Sequence, residues 1–344
     1  MKRNIYADRR DDFGFQRGRI ISIVVVMIVF IIIVWQGEHR ATAPESRTLV
    51  LYCFTGMQEV MENGVIPIFK EYWQDEYGEH VEVISTFAGS GTIVDKIISR
   101  FPAEVAILSS PVDAVRLSER LLISSNWWKT LPNAGVFNRS AMIMIVRDGN
   151  PLDIQDFSDL SRPGIEFLHP NLITSGAGQW AILAIYGSAL RVGSDSVGAI
   201  QRVAEAWQNV IEQPASARDA VQLFIEGTGD VLIMYEANLR ENIARDQIPG
   251  QLVYPSSTIV TEHIVLPINR NIRSGQEELV NSFIQFLWSA EVQHLLAAYG
   301  YHGLNDSLDN IKDTFTLESL GVPRRIKSQL IDTLIAALTS TVSY

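Results

Sequence analysis

The chain has 344 residues, 47% of them hydrophobic, and a formal net charge of −11, which is enough apolar material for one large or two medium domains. The acidic balance excludes nucleic acid as a natural partner, because a phosphate backbone calls for clustered Lys and Arg; a small anion stays compatible with it, since local geometry outweighs net charge. One cysteine, Cys53, rules out an intrachain disulfide, and six histidines without a His-x-His or His-x-x-x-His pair give no sign of a metal centre or other cofactor.

In chain order, Lys2, Arg3, Arg9, Arg10, Arg17 and Arg19 precede an uncharged apolar run from Ile20 to Trp35. At about 1.5 Å per residue this run nearly crosses a hydrocarbon core of about 30 Å. Basic residues before it and Glu38 and Glu45 after it place residues 1–19 in the cytoplasm, make 20–36 a transmembrane anchor, and put the rest outside. The alternative is a signal peptide cut at Ala41-Thr42-Ala43. Residues 37–46 are polar and read as a linker.

Beyond the linker, short β-rich runs alternate with amphipathic helices. Strands are predicted at Thr48–Phe54, Val81–Phe87, Val105–Ser109, Ala141–Val146, Gly164–His169 and Val231–Tyr235. Helices are predicted near Gln58–Tyr77 and over Thr92–Arg100, Pro111–Leu122, Gln179–Leu190, Ser196–Glu212, Ala217–Glu226, Gln276–Tyr299 and Arg324–Leu338. This alternation implies an α/β fold with mostly parallel sheets.

Three places share one design, a strand-like run, a turn of Gly, Ser or Ala, and then a helix: Ala88-Gly89-Ser90-Gly91-Thr92, Thr174-Ser175-Gly176-Ala177-Gly178, and Pro214-Ala215-Ser216-Ala217-Arg218. A helix start carries unpaired N–H groups and partial positive charge. Small residues let an anion approach that backbone, and a Ser hydroxyl adds a donor. Several such starts converging would hold a dianion without Lys or Arg. None of the turns is a Walker loop or a dinucleotide fingerprint. Neither Ser90 nor Ser175 lies in Gly-x-Ser-x-Gly, so no catalytic residue is assigned and the chain reads as a non-enzyme. Because the turns offer no carboxylate, a protonated anion such as hydrogen phosphate is expected to bind poorly.

These turns, with Asn126-Trp127-Trp128, Val146-Arg147-Asp148-Gly149-Asn150-Pro151, Asp159-Leu160-Ser161-Arg162-Pro163-Gly164, His169-Pro170-Asn171 and Gly229-Asp230-Val231-Leu232-Ile233, resemble in order and spacing the periplasmic sulfate- and thiosulfate-binding proteins of ABC importers. The resemblance runs from about Thr48 to about Gly300, and more distantly extends to the molybdate binders. It implies a type II periplasmic-binding fold, with two α/β domains, a hinge and a cleft between them. It also implies an oxyanion held by the hydroxyl of Ser90, by the turn Ser175-Gly176-Ala177, by the backbone of Ala217, and by Tyr235 where the sulfate proteins carry a Trp. Thr55 ends the first strand as either a helix cap or a further donor, and Tyr235 is either such a donor or a core residue. The first strand ends in Cys53-Phe54-Thr55 where the sulfate proteins have Ser-Tyr-Asp, and the molybdate proteins carry a Tyr at the position of Tyr235, so the site mixes two patterns.

The expected division is 47–136 with 260–344 as one domain and 137–259 as the other, crossing near Phe137–Ala141 and Val260–His263. The expected partners are the inorganic anion, ABC permease and ATPase subunits, and the membrane through the N-terminal helix. The expected location is the periplasmic side of the inner membrane, or the free periplasm if the chain is cut after Ala43. A molybdate or tungstate receptor and a membrane-anchored anion sensor are the alternatives.

Overall fold

The computed structural model describes Met27, residues 46–322 and residues 329–341. Apart from Met27, the predicted anchor at 20–36 lies outside the described residues; among those described, no helix is long and apolar enough to cross a membrane.

Strand β1 (Ser46–Phe54) is followed by tight helical turns and helix α1 (Ile66–Tyr77), which ends at Gly78 in the left-handed conformation (φ 69°) that glycine adopts without strain. Strand β2 (His80–Ala88), helix α2 (Ser90–Ile98), strand β3 (Val105–Leu108) and helix α3 (Pro111–Glu119) follow. All four residues of β3 are buried, because helices cover both faces of the sheet; this is why the strand reads as an unbroken apolar run rather than an alternation. α3 opens on Ser110, whose hydroxyl accepts from the Val112 N–H at 3.2 Å, with Pro111 in the first helical position.

β1 pairs in parallel with both β2 and β3. Two long strands, β4 (Val136–Val146) and β9 (Ser257–Pro267), then carry the sheet across the molecule. They pair antiparallel with each other, and β9 also pairs with β3. On the far side β4 pairs with β7 (Val231–Tyr235) and with β8 (Gln251–Val253), and β7 runs parallel to β5 (Phe167–Leu168), which pairs with β6 (Val210–Glu212). Helices α4 (Gly176–Arg191), α5 (Ser196–Trp207), α6 (Ala217–Ile225) and α7 (Glu236–Ala244) belong to this second half. Helices α8 (Glu277–Phe286) and α9 (Ala290–Ala298) follow β9.

Four local expectations change. The helix predicted over Ser196–Glu212 stops at Trp207, and Val210–Glu212 is an edge strand; three residues are too short to show a period. The helix predicted over Gln276–Tyr299 is two helices, because the Ser289 hydroxyl accepts from the Val292 N–H and starts a new one. The strand predicted at Gly164–His169 is only Phe167–Leu168. The tail also departs from the expected division. Strand β10 (Asp313–Phe315) pairs with Ser257–Ile259 at the start of β9, the Phe315 ring fills the space that a Cβ on Gly187 of α4 would occupy, and helix α10 (Gln329–Thr341) packs on α4 and α5. Among the described tail residues, Asp313–Phe315 and the helix Gln329–Thr341 therefore attach chiefly to the second half of the sheet rather than to the half formed by 47–136.

Candidate functional site

Parallel strands deliver their carboxyl ends to one edge, and ligands of open α/β sheets sit in the crevice there. In this chain the ends of β1, β2 and β3 supply Thr55, Gly89-Ser90 and Ser109, and the opposing half supplies the starts of α4 and α6 and the end of β7. The two sets meet. The Thr92 N–H donates to the Thr174 carbonyl at 3.1 Å, the Trp180 indole N–H to the Ser109 carbonyl at 2.7 Å, and Arg218 to the Gln58 side chain at 2.8 Å. The approach is close enough to require glycine. A Cβ on Gly89 would stand 2.2 Å from the Thr174 carbonyl oxygen and 2.7 Å from that of Ala215, and one on Gly91 would stand 2.0 Å from the Ile173 carbonyl oxygen. All three turns therefore converge, Gly89 touching the other two at once.

Ser90 and Ser175 are buried, at 1% and 3% exposed. Ser175 caps α4 in extended conformation without spending its side chain on the helix. Gly176 lies so near the Ser109 hydroxyl that a Cβ there would fall 2.0 Å from it, and Ala177 is buried behind. At the third turn the Ser216 hydroxyl is used locally: it accepts from the Asp219 N–H and donates to the Asp219 carboxylate. Ala217, one residue on, lines with Thr55, Gly56 and Asn238 a cavity of about 260 Å³ that also receives Arg218, Arg245 and Glu241. Glu241 is pushed up to about 7, first by burial, against the pull of Arg245 and with the help of Glu59.

Two candidates from the sequence, Thr55 and Tyr235, are joined here by Ser109, His263 and Asn238, which sequence reasoning left unassigned. The hydroxyls of Thr55, Ser109 and Tyr235, His263 Nε2 and Asn238 Oδ1 are buried and make no hydrogen bond of normal geometry among the described residues. Native interiors tolerate few such groups unless something polar meets them. Tyr235 is 1% exposed, so its unpartnered hydroxyl departs from the core reading in which that group is satisfied. Burial holds the Tyr235 proton on far above the usual phenol range, against the pull of the Ser109 hydroxyl beside it and with the nearby Asp113 adding to the effect. Burial lowers His263 to about 3; the ring is neutral, bonded through Nδ1 to Asn138 Oδ1 at 2.6 Å, and packed between Phe54 and Tyr235.

The expectation of a carboxylate-free site needs correction. Asp113, from the first turn of α3 rather than from any of the three turns, is 1% exposed and lies 2.5 Å from the Ser90 hydroxyl, which also accepts from the Ser109 N–H at 3.2 Å. Burial raises Asp113 above the ordinary carboxyl range. Nothing in sequence spacing links residue 113 to residue 90; the packing of α3 against α2 does. Arg147 of the Val146–Pro151 stretch lies outside the crevice and tethers the carbonyls of Phe224, Thr228 and Gly229. His169 is buried, bonded to the Pro170 carbonyl, and lowered to about 4 by burial.

Residues 49–302 match the family of bacterial extracellular solute-binding proteins. The chain is 31% identical over 245 residues to a sulfate-binding protein of Escherichia coli, covering 70% of this chain and 74% of that protein. It is 31% identical over 236 residues to a thiosulfate-binding protein of Pseudomonas aeruginosa, covering 67% and 71%. The solved structure of the sulfate-binding protein SubI of Mycobacterium tuberculosis superposes with a TM-score of 0.70 at 27% identity, over 80% of this chain and 96% of that one. With its α/β fold and its crevice lined by helix starts, the chain belongs to the bacterial extracellular solute-binding proteins, in the family of the sulfate- and thiosulfate-binding members.

Proposed function

We propose that this protein captures a tetrahedral oxyanion, sulfate or thiosulfate, outside the cytoplasmic membrane and presents it to an ABC permease and its ATPase. The observation that carries the reading is the convergence of three helix-start turns on one crevice with buried, unpartnered hydroxyls of Thr55, Ser109 and Tyr235. In the proposed site the backbone N–H groups of Gly176, Ala177 and Ala217 and the hydroxyls of Ser90, Ser175, Thr55 and Tyr235 donate to the anion. Helix starts favour negative charge, and such a site needs no cofactor. The binding of an ion already fully ionised asks nothing of these groups beyond donation, which is a receptor's task rather than an enzyme's.

The proposed moving parts follow from the topology. One unit is built on β1–β3 and the other on β5–β7, in the type II arrangement, and β4 and β9 form the hinge where Val136–Ala141 pair with Val260–Ile264. Closure would make the Thr92–Thr174, Trp180–Ser109 and Arg218–Gln58 bonds; opening would break them. The apolar run at 20–36 would keep the protein at the outer face of the membrane, beside its permease.

A thermal-shift panel on the full-length chain in detergent tests the reading, with sulfate, thiosulfate, molybdate, tungstate and phosphate. Sulfate or thiosulfate should raise the melting temperature most. No shift with any of the five overturns the proposal, and a shift confined to molybdate and tungstate reassigns the ligand.

A further inference from the structure

We propose that Asp113 sets the protonation balance of the oxyanion site: it holds a proton while a fully ionised oxyanion is bound, and that proton frees the Ser90 hydroxyl to donate to the ligand. The inference rests on the oxyanion reading above.

The argument is a count of hydrogens around Ser90 Oγ. Two groups already meet this atom, the Ser109 N–H at 3.2 Å and Asp113 Oδ2 at 2.5 Å. The Ser109 N–H always donates. If Asp113 is ionised it is an acceptor only, so the one Ser90 proton goes to Asp113 and Ser90 turns lone pairs toward the crevice. A dianion arriving there meets no donor from Ser90 and a carboxylate charge close behind it. If Asp113 carries the proton on Oδ2, it donates to Ser90 Oγ; the Ser90 proton is then released and can point only into the crevice. The same two side chains at the same separation thus give opposite polarity at the ligand, decided by one proton.

The surroundings favour the protonated form. Asp113 is 1% exposed, and its second oxygen, Oδ1, has no hydrogen-bond donor. A buried carboxylate with one bare oxygen is costly, and taking up a proton removes most of that cost. The charged groups nearby are Asp95 of α2, Arg116 and Glu119 of its own helix and Arg120 just past it, with Asp332 of α10 lining a second, separate cavity beside Asp113; the Tyr235 phenol and Gln179 face it uncharged. Arg116, the cation able to steady an ionised Asp113, is committed to Asp95 at 2.5 Å. Burial accordingly outweighs Ser90 and Arg116 and holds Asp113 above its ordinary range. A bound dianion adds a further negative charge at the same spot and holds the proton more tightly still.

Capture of sulfate should therefore take up a proton wherever the empty site has lost it. Calorimetric titration of the full-length chain with sulfate, between pH 6 and pH 9 in pairs of buffers of different ionisation heat, counts that proton. Wherever the empty site has lost the proton, uptake should approach one proton per anion and sulfate affinity should fall about tenfold per pH unit. Asp113→Asn, whose amide donates to Ser90 as the protonated acid does, should bind sulfate with no proton uptake and a flat pH profile. Glu241 titrates in the same window, so Glu241→Gln is run alongside and should keep the wild-type proton count. Sulfate affinity that falls with rising pH without matching proton uptake overturns the inference, as does Asp113→Asn with the wild-type pH slope or with sulfate binding more than about tenfold tighter than the wild type, the sign of an ionised Asp113 in the bound state. Should Asp113→Asn not fold, the wild-type proton count decides alone. A wild type that binds no oxyanion at any pH overturns the receptor reading itself, a result distinct from binding without a proton.

Discussion

Substituting Gly89 by alanine tests closure directly. The residue sits at φ −61° and ψ 146°, a conformation alanine adopts freely, so the unit built on β1–β3 should fold unaltered. The conflict arises only across the crevice, where the new methyl would lie 2.2 Å from the Thr174 carbonyl oxygen and 2.7 Å from that of Ala215. Both are backbone atoms, so no side chain can swing aside. Restoring 3.0 Å, the nearest that real Cβ atoms approach, needs a retreat of about 0.8 Å. A retreat of that size stretches the Thr92–Thr174 hydrogen bond from 3.1 Å beyond bonding range. Losing that bond costs about 0.5–1.5 kcal/mol, and residual overpacking about 1–3 kcal/mol. The closed, liganded state is thus penalised by roughly 2–4 kcal/mol, or about 30- to 1,000-fold in affinity at 1.4 kcal/mol per tenfold. Titration calorimetry with sulfate measures the loss, and thermal melting without ligand checks the fold. A Gly89→Ala protein that binds within about threefold of the wild type would refute the claim that these turns meet in the bound state.

Tyr235→Phe removes a buried hydroxyl that makes no hydrogen bond of normal geometry among the described residues, so sulfate affinity should fall by about 10- to 100-fold while the unliganded melting temperature holds or rises, because an unsatisfied group is deleted; a stability loss without an affinity loss would make Tyr235 a core residue only. Arg147→Lys should act the other way, lowering stability by about 2–4 kcal/mol in urea unfolding with ligand affinity nearly unchanged, since a point charge cannot replace the planar fork that bonds the Phe224, Thr228 and Gly229 carbonyls and stacks on the Phe224 ring. Acid should destabilise the fold through His169, held at about 4 against an ordinary 6.5. Between those values the unfolded chain binds the proton that the folded one refuses, so this contribution is whole above pH 6.5 and falls by about 3 kcal/mol as pH drops to 4. Urea unfolding at pH 7 and pH 4.5 should show the loss, and His169→Gln should remove about half of it, because His263, lowered by burial to about 3, contributes in the same way.

How much was legible in the sequence depends on the range of the interaction that fixes each feature. β1, β3 and β7 were visible because strands covered on both faces leave unbroken apolar runs, as in Val231–Tyr235. The three turns were visible because a helix start and a close backbone approach both leave local marks, a small residue or a hydroxyl at a fixed place. The ends of helices were less so: Ser289 reads as an ordinary residue within an amphipathic stretch until its hydroxyl is seen capping a new helix. Least legible were pairings set by tertiary packing alone. Neither the docking of β10 on the start of β9 nor the contact of Asp113 with Ser90 has a sequence pattern, since in each case the partners are chosen by the way two remote elements pack.

The topology also explains why a strongly acidic chain can hold an anion. β1, β2 and β3 are parallel, and Phe54 lies opposite Ala88 in register, so Thr55 and Gly89 emerge side by side at one edge. β7 and β5 are parallel in the other half and present Tyr235 and the turn before α4 from across the crevice. Every element that reaches the crevice therefore offers either the start of a helix or the end of a strand, where backbone N–H groups and short side chains are available and long charged ones are not needed. Most formal charge stays on the outer surface, screened by water and salt, and the buried Glu104 and Glu236 are paired with Arg273 and Arg240, while partial charges act at contact distance in a dry interior where they are strongest. Near the crevice, Glu241 and Asp113 depart from this rule. Glu241 sits at the rim of the cavity, where Arg245 offsets it. Asp113 sits inside with no free cation beside it, and an ionised carboxylate there would oppose the very field that three helix starts create. The site is coherent as an anion receptor only with that carboxyl neutral, which makes its proton part of the binding chemistry.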